Sequence, residues 1–135
     1  MTITDASFVA AVRARAAAQP DKVYEPPEFE DPDTGAFVSG SDCLYVEYSP
    51  SEAIYVGSCL LGCGLIAAGV DPNKLIQDNI AMPFSRLVKV LNLPLSLRVV
   101  LWAEKAQRAQ DENLPWGVAI ERADASYPLE SVMNE

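Results

Sequence analysis

The sequence of 135 residues contains no histidine. Imidazole is the usual general base, proton shuttle and zinc ligand, so its absence removes the commonest catalytic designs. Basic residues are also scarce, 10 Lys and Arg against 19 Asp and Glu, giving a net charge of −9 and a pI near 4.4. A chain this acidic is poorly suited to neutralise phosphates, which argues against direct nucleic-acid or anionic-lipid binding. Cysteines number three, Cys43, Cys59 and Cys63, too few and too uneven for a disulfide framework, so reduced thiols are expected. Cys59 and Cys63 stand one helical turn apart, but zinc would need two more ligands and only Cys43 and carboxylates remain; buried, apolar-like thiols and no metal are expected. The longest apolar run, Cys59 to Val70, has 12 residues and is broken by three glycines, short of the roughly 20 a spanning helix needs. No basic region followed by an apolar core and a small-residue cleavage site opens the chain, so no secretion signal is read and cytoplasmic residence is expected.

Half of the residues are hydrophobic, enough for one core, and no repeat or linker divides the chain. Residues 5–18 carry Phe8, Val9, Val12 and Ala16 at helical spacing, with Thr4 or Asp5 available as a cap and Pro20 beyond the end. From 20 to 40 the pattern gives way to an acidic, proline-rich loop containing Glu25-Pro26-Pro27-Glu28 and Asp31-Pro32-Asp33-Thr34-Gly35. Leu44–Tyr48 and Ala53–Val56 flank Ser49-Pro50-Ser51 and predict a short hairpin, which needs helices packed against it. Ser58 is the expected cap of a helix through Cys59, Leu60, Leu61, Leu65 and Ile66, stopped by Gly69. Gly62 and Gly64 inside it each cost about 1 kcal/mol relative to alanine, so they point to close approach by another element or a later helix start.

Asp71-Pro72 opens a short helix to about Asp78. Pro83 opens another, with Phe84, Leu87, Val88 and Leu91 on one face. Ser96 caps the longest helix, to about Glu112, where Leu97, Val100, Leu101 and Glu104 share a side that Val99, Trp102, Ala103, Ala106 and Ala109 broaden. Asn113 is a candidate left-handed stop, Pro115 starts a last helix through Trp116, Ala119, Ile120 and Ala123, and about 126–135 read as a weakly held tail. The expected fold is therefore a single α+β domain, about five helices packed on a small antiparallel β-hairpin.

The charge is regional. Residues 21–52 hold nine acids and one base, while the rest of the chain is close to balanced. Such a segment is either a solvated loop or an acidic surface that steers a basic partner. Asp31-x-Asp33-x-Gly35 with Asp42 at the twelfth position echoes a calcium loop. Ala36 stands where that loop needs glycine, and no entering helix precedes it, so calcium is not expected. Gly57 to Gly64 precedes a helix and invites comparison with a phosphate cradle, but it lacks the Gly-Lys-Ser/Thr ending. At the junction of the last two helices, Gln110, Asp111 and Trp116 are either packing residues or an interface anchor beside a polar edge.

Gly57, Cys59, Leu60, Gly62 and Gly69, a short Asp-led helix, then Gln107-x-x-Gln110-Asp111 and Trp116-x-x-Ala119 together resemble small uncharacterised proteins of actinobacteriophages and their actinobacterial hosts, over about residues 57–123. The resemblance implies no activity; it implies a phage-type accessory product working inside the host cell.

From these observations the chain is expected to be a non-enzymatic protein with no cofactor, binding a basic, host- or phage-derived protein. The candidate contact residues are Glu25, Glu28, Glu30, Asp31, Asp33, Asp42, Gln110, Asp111 and Trp116. Two other readings remain open: a small-ligand or nucleotide site at the Gly57–Gly64 turn, and a homodimer formed along a hairpin edge carrying Tyr45, Tyr48 and Tyr55.

Overall fold

The computed structural model describes residues 3–25, 44–76 and 82–129, together with the backbone of 28–30 and 37–39. Within them, five α-helices and short antiparallel hairpins make a small α+β domain, as the pattern predicts. Helix α1 spans Asp5–Ala18 and buries Phe8, Val9, Val12 and Ala16, the four residues that the spacing selects. Thr4 caps it, accepting from the Ser7 amide while the Ser7 hydroxyl accepts from the Thr4 amide. The Asp5 carboxylate instead accepts from the Ser96 amide at 2.8 Å, tying the start of α1 to the cap of a distant helix.

Strands β1 (Glu28–Glu30) and β2 (Phe37–Ser39) pair in antiparallel register, Phe29 opposite Val38, so the segment expected to be only a loop contains a hairpin. Strands β3 (Val46–Ser49) and β4 (Ile54–Gly57) form the expected hairpin, with Tyr48 opposite Tyr55. Helix α2 spans Leu60–Ala67 and begins one residue later than the cap choice implies. Cys59, not Ser58, is its N-cap, the thiol accepting from the Gly62 amide at 3.3 Å. Ser58 is turned away because its hydroxyl lies 2.9 Å from the Tyr24 hydroxyl. Gly69 ends the helix with a φ of 112°, a region that favours glycine.

The next turn, Pro72–Leu75, is a single 3₁₀ turn capped by Asp71; the helix expected here to about Asp78 extends into residues outside those described. Helix α3 (Phe84–Val90) buries Phe84, Leu87 and Val88. Helix α4 (Leu97–Asp111) is capped by Ser96. Its core face is Val99, Val100, Trp102, Ala103, Ala106, Ala109 and Gln110, whereas Leu97 is 74% exposed and Leu101 and Glu104 are only partly covered. The residues expected to broaden the face are all buried, while of the Leu97–Glu104 side only Val100 is; the face turns toward Trp102, whose burial takes the larger apolar area out of water. Asn113 adopts the expected left-handed conformation, and α5 (Trp116–Ser126) follows. No side chain caps α5. The Lys22 and Pro20 carbonyls accept from the Trp116 and Gly117 amides, both at 2.9 Å. Of the expected tail, Leu129 is buried and residues 130–135 lie outside those described.

The core runs continuously through α1, α2, α4 and α5, with Phe8 stacked on Phe84. Among the described residues no helix is long and apolar enough to cross a membrane.

Candidate functional site

The two glycines of α2 explain themselves in three dimensions. A Cβ on Gly62 would run into the Tyr45 carbonyl, and one on Gly64 into Val12 of α1. Of the two explanations for these glycines, close approach is the stronger: α2 is pressed between the lead-in to β3 and α1. The amides at its start are spoken for. Leu60 N–H donates to Gln110 Oε1 at 2.8 Å, Gly62 N–H to Cys59 Sγ, and the Ser58 and Cys59 amides to the Tyr45 and Leu44 carbonyls. Ser58, Cys59, Leu60 and Leu61 are all buried. An anion would find neither accessible amides nor space there, so the turn does not have the form of a phosphate cradle.

Gln110 is the centre of the α4–α5 junction. Its Oε1 accepts from Leu60 N–H and from Trp116 Nε1–H, and its Nε2 donates to the Asp111 carboxylate at 3.2 Å. Gln110 and Trp116 are fully buried, while Asp111 is exposed. Arg15 and Lys22 lie over the Trp116 ring, 5.9 and 4.8 Å from its centroid, and roof it from water. Trp116 and Gln110, expected among the contact residues, therefore sit in the core and present no surface. An indole and an amide that satisfy each other inside the fold are packing residues.

The acidic segment has a defined base. Tyr24 is buried, its hydroxyl accepts from the Leu44 amide at 3.2 Å, and it also meets the Leu44 carbonyl and Ser58. Tyr24 and Leu44, near the two ends of the acidic segment, are thus held side by side. Between these points lie six of the expected contact residues. Glu25 is exposed. Glu28 and Glu30 belong to β1, though their side chains lie outside the described part, as do Asp31, Asp33 and Asp42. The following hairpin adds Glu47 and Glu52, both exposed. Tyr48 and Ile54 are each 53% exposed, and the Tyr48 and Tyr55 rings meet edge to face. Tyr45 is not part of that edge: it is buried, with its hydroxyl donating to the Met82 carbonyl.

One polar cluster carried no local signal. Arg13 donates through both terminal nitrogens to Asp124 at 2.8 and 2.7 Å, and Trp102 Nε1–H donates to the same carboxylate at 2.9 Å. Burial pushes the Asp124 carboxyl up, but hydrogen bonds from Arg13 and Trp102 and the Arg13 charge outweigh it, and the net shift is downward. Arg13 and Asp124 are 111 positions apart, beyond any spacing rule. The cluster is a strut between α1, α4 and α5.

The Cys63 thiol is half-buried, and burial pushes it above the ordinary thiol range despite the opposing charges of Arg15 and Lys22. It stays protonated at neutral pH and has the character of a packed side chain rather than an activated nucleophile. Among the described residues no group of three or more acidic or cysteine side chains is placed to hold a metal ion, and every buried side-chain nitrogen or oxygen has a partner. Shallow grooves mark the described surface. One of about 330 Å³ lies between Leu97, Arg98, Leu101 and Ser126–Pro128, and one of about 310 Å³ between Gly69–Asp71, Lys74 and Leu91–Pro94.

Comparison with protein-family models, curated proteins and solved structures finds no match to this chain.

Proposed function

We propose that this is a non-enzymatic accessory protein that binds a basic partner protein through the acidic surface of residues 21–52, in the cytoplasm. The observation that carries the reading is the concentration of nine acids and one base in that segment, set on a base clamped at Tyr24 and Leu44 and continued by the exposed Glu47 and Glu52. The resemblance of residues 57–123 to actinobacteriophage and host proteins supports a host or phage protein as the partner.

The test is capture from actinobacterial lysate at low and high salt, with the wild type beside a variant in which Glu28, Glu30, Asp31 and Asp33 are all replaced by their amides. Exposed charges are screened beyond about 8–10 Å at physiological ionic strength, so a true partner is recovered at low salt, is lost at high salt, and is missing from the variant's eluate. Equal capture by wild type and variant defeats the reading.

A further inference from the structure

Helices α2 and α3 end in the same way. At the end of α2 the Gly69 N–H donates to the Ile66 carbonyl and the Val70 N–H to the Leu65 carbonyl; at the end of α3 the Asn92 N–H donates to the Lys89 carbonyl and the Leu93 N–H to the Val88 carbonyl. Gly69 and Asn92 both have positive φ, 112° and 53°, so each helix closes in a Schellman turn. None of these four bonds reaches the carbonyls of Ala67 and Ala68 or of Val90 and Leu91, the last of each helix. Helix ends of this polarity carry partial negative charge and favour a cation.

The two ends open on one groove of about 310 Å³, in which Gly69 and Asn92 stand beside Asp71. One Asp71 oxygen accepts from the Asn73 N–H at 2.9 Å, and a carboxylate has a second oxygen to offer. Ile3, Val70, Leu91 and Leu93 supply apolar wall. Ile3 leads into α1, whose positive end is answered by the Thr4 cap and the Asp5 carboxylate. Lys74 is the single basic side chain of the lining and Asp71 the single acid, so the two helix ends tip the balance to negative.

Resting on the reading that the partner is a basic protein, we infer that this groove receives one arginine or lysine side chain of that partner, its methylenes along the apolar wall and its cationic head at the two helix ends and Asp71. Such side chains pair an apolar stem with a charged tip, the same division that the groove presents. The groove lies outside residues 21–52 and has a different task. Diffuse acidic charge steers a basic protein from a distance, whereas a pocket for one side chain fixes where it attaches.

Amide NMR of the full chain at low salt tests this with three probes: N-acetylarginine methylamide, its uncharged citrulline analogue of the same shape, and N-acetylglutamate methylamide. The arginine probe is expected to shift the Gly69–Asp71 and Asn92–Leu93 amides saturably, with a Kd on the order of 1 mM for a group of its size, and the citrulline probe to bind about tenfold more weakly. Asp71→Asn keeps an acceptor for the Asn73 N–H and removes the charge, so it should weaken the arginine probe by about threefold to fivefold, while Lys74→Gln should tighten it by a similar factor. Replacing Glu28, Glu30, Asp31 and Asp33 by their amides should leave the shifts in place. Equal shifts from the arginine and citrulline probes, a preference for the glutamate probe, or shifts only outside the groove overturn the pocket. Salt-sensitive capture from lysate that survives Asp71→Asn undiminished also overturns it, and leaves the acidic-surface reading standing. Equal capture by wild type and the four-amide variant defeats that reading instead, whatever the groove binds.

Discussion

Single residues in this fold are judged by the space around them rather than by their propensities. Gly62 and Gly64 lie on opposite sides of one turn of α2, and alanine at either would be favoured by helix propensity by about 1 kcal/mol. The structure reverses that sign at both. At Gly62 the obstacle is the Tyr45 carbonyl, backbone held by its own bond from Ser58 N–H; Gly62→Ala should cost about 3 kcal/mol, and trimming a neighbouring side chain should not restore it. At Gly64 the obstacle is a Val12 methyl, so the cost of Gly64→Ala should shrink when Val12→Ala is combined with it. A double-mutant cycle by urea denaturation separates the two cases, and additive effects of Val12→Ala and Gly64→Ala would refute the contact. Ala53 is the opposite case. It is exposed in the β3–β4 turn with a φ of 57°, a left-handed conformation that suits glycine. Ala53→Gly should raise stability by about 0.5 kcal/mol, seen as a melting temperature roughly 2 °C higher. The glycine pair was legible in the sequence as an anomaly, since two glycines inside an apolar helix need a reason. The strain at Ala53 was not, because nothing in Ser49-Pro50-Ser51 fixes how many residues the turn takes.

At the scale of elements, the molecule is held by polar struts between helices whose apolar faces alone do not fix their rotation. Gln110 joins α4, α5 and the start of α2 through one side-chain oxygen. Gln110→Leu keeps the volume and strands the Leu60 amide and the Trp116 indole N–H, at an expected cost of about 2–4 kcal/mol. Native-state hydrogen exchange should then report the Leu60 amide as newly fast; unchanged protection there would show that the strut is dispensable. The Arg13–Asp124–Trp102 strut has a pH signature. The folded Asp124 pKa lies below its ordinary 3.8, so its stabilising contribution is complete above that value and disappears as pH falls through the lower folded value. Both side chains of the ion pair are more than a third exposed, 39% and 37%, so water screening limits the contribution to about 1 kcal/mol or less. Asp124→Asn should therefore lower the melting temperature slightly at pH 7 and flatten its fall as pH drops below about 4; parallel acid profiles for wild type and variant would count against it. Helix limits were readable from caps and prolines, Thr4, Ser96, Pro83 and Pro115 among them. The inward face of α4 was less so, because Val100 on the Leu97–Glu104 side is buried along with Val99 and Trp102, and only the surfaces of α5, α3 and α2 decide where the face ends.

For the whole molecule the governing quantity is uneven charge. The balanced remainder of the chain folds into the helical core, and the acidic stretch is attached to it at Tyr24 and Leu44. The sequence disclosed the stretch by composition alone. It could not disclose the clamp, since Tyr24, Leu44 and Ser58 are brought together only by the packing of α2. Like charges gathered in one stretch of sequence oppose compaction, so screening should stabilise the fold. The same screening should weaken capture of a basic partner. Raising sodium chloride from about 0.02 to 0.5 M, where the Debye length falls from roughly 20 to 4 Å, is thus expected to raise the melting temperature by a few degrees while abolishing binding. The amide variant of Glu28, Glu30, Asp31 and Asp33 should start from a higher melting temperature and respond less to salt. If salt instead lowered the melting temperature, attractive pairs such as Arg13–Asp124 would dominate the balance, and the acidic stretch would contribute little repulsion to the folded state. If stability and binding rose together with salt, apolar contact rather than charge would drive the association, and the acidic surface would be its rim rather than its centre.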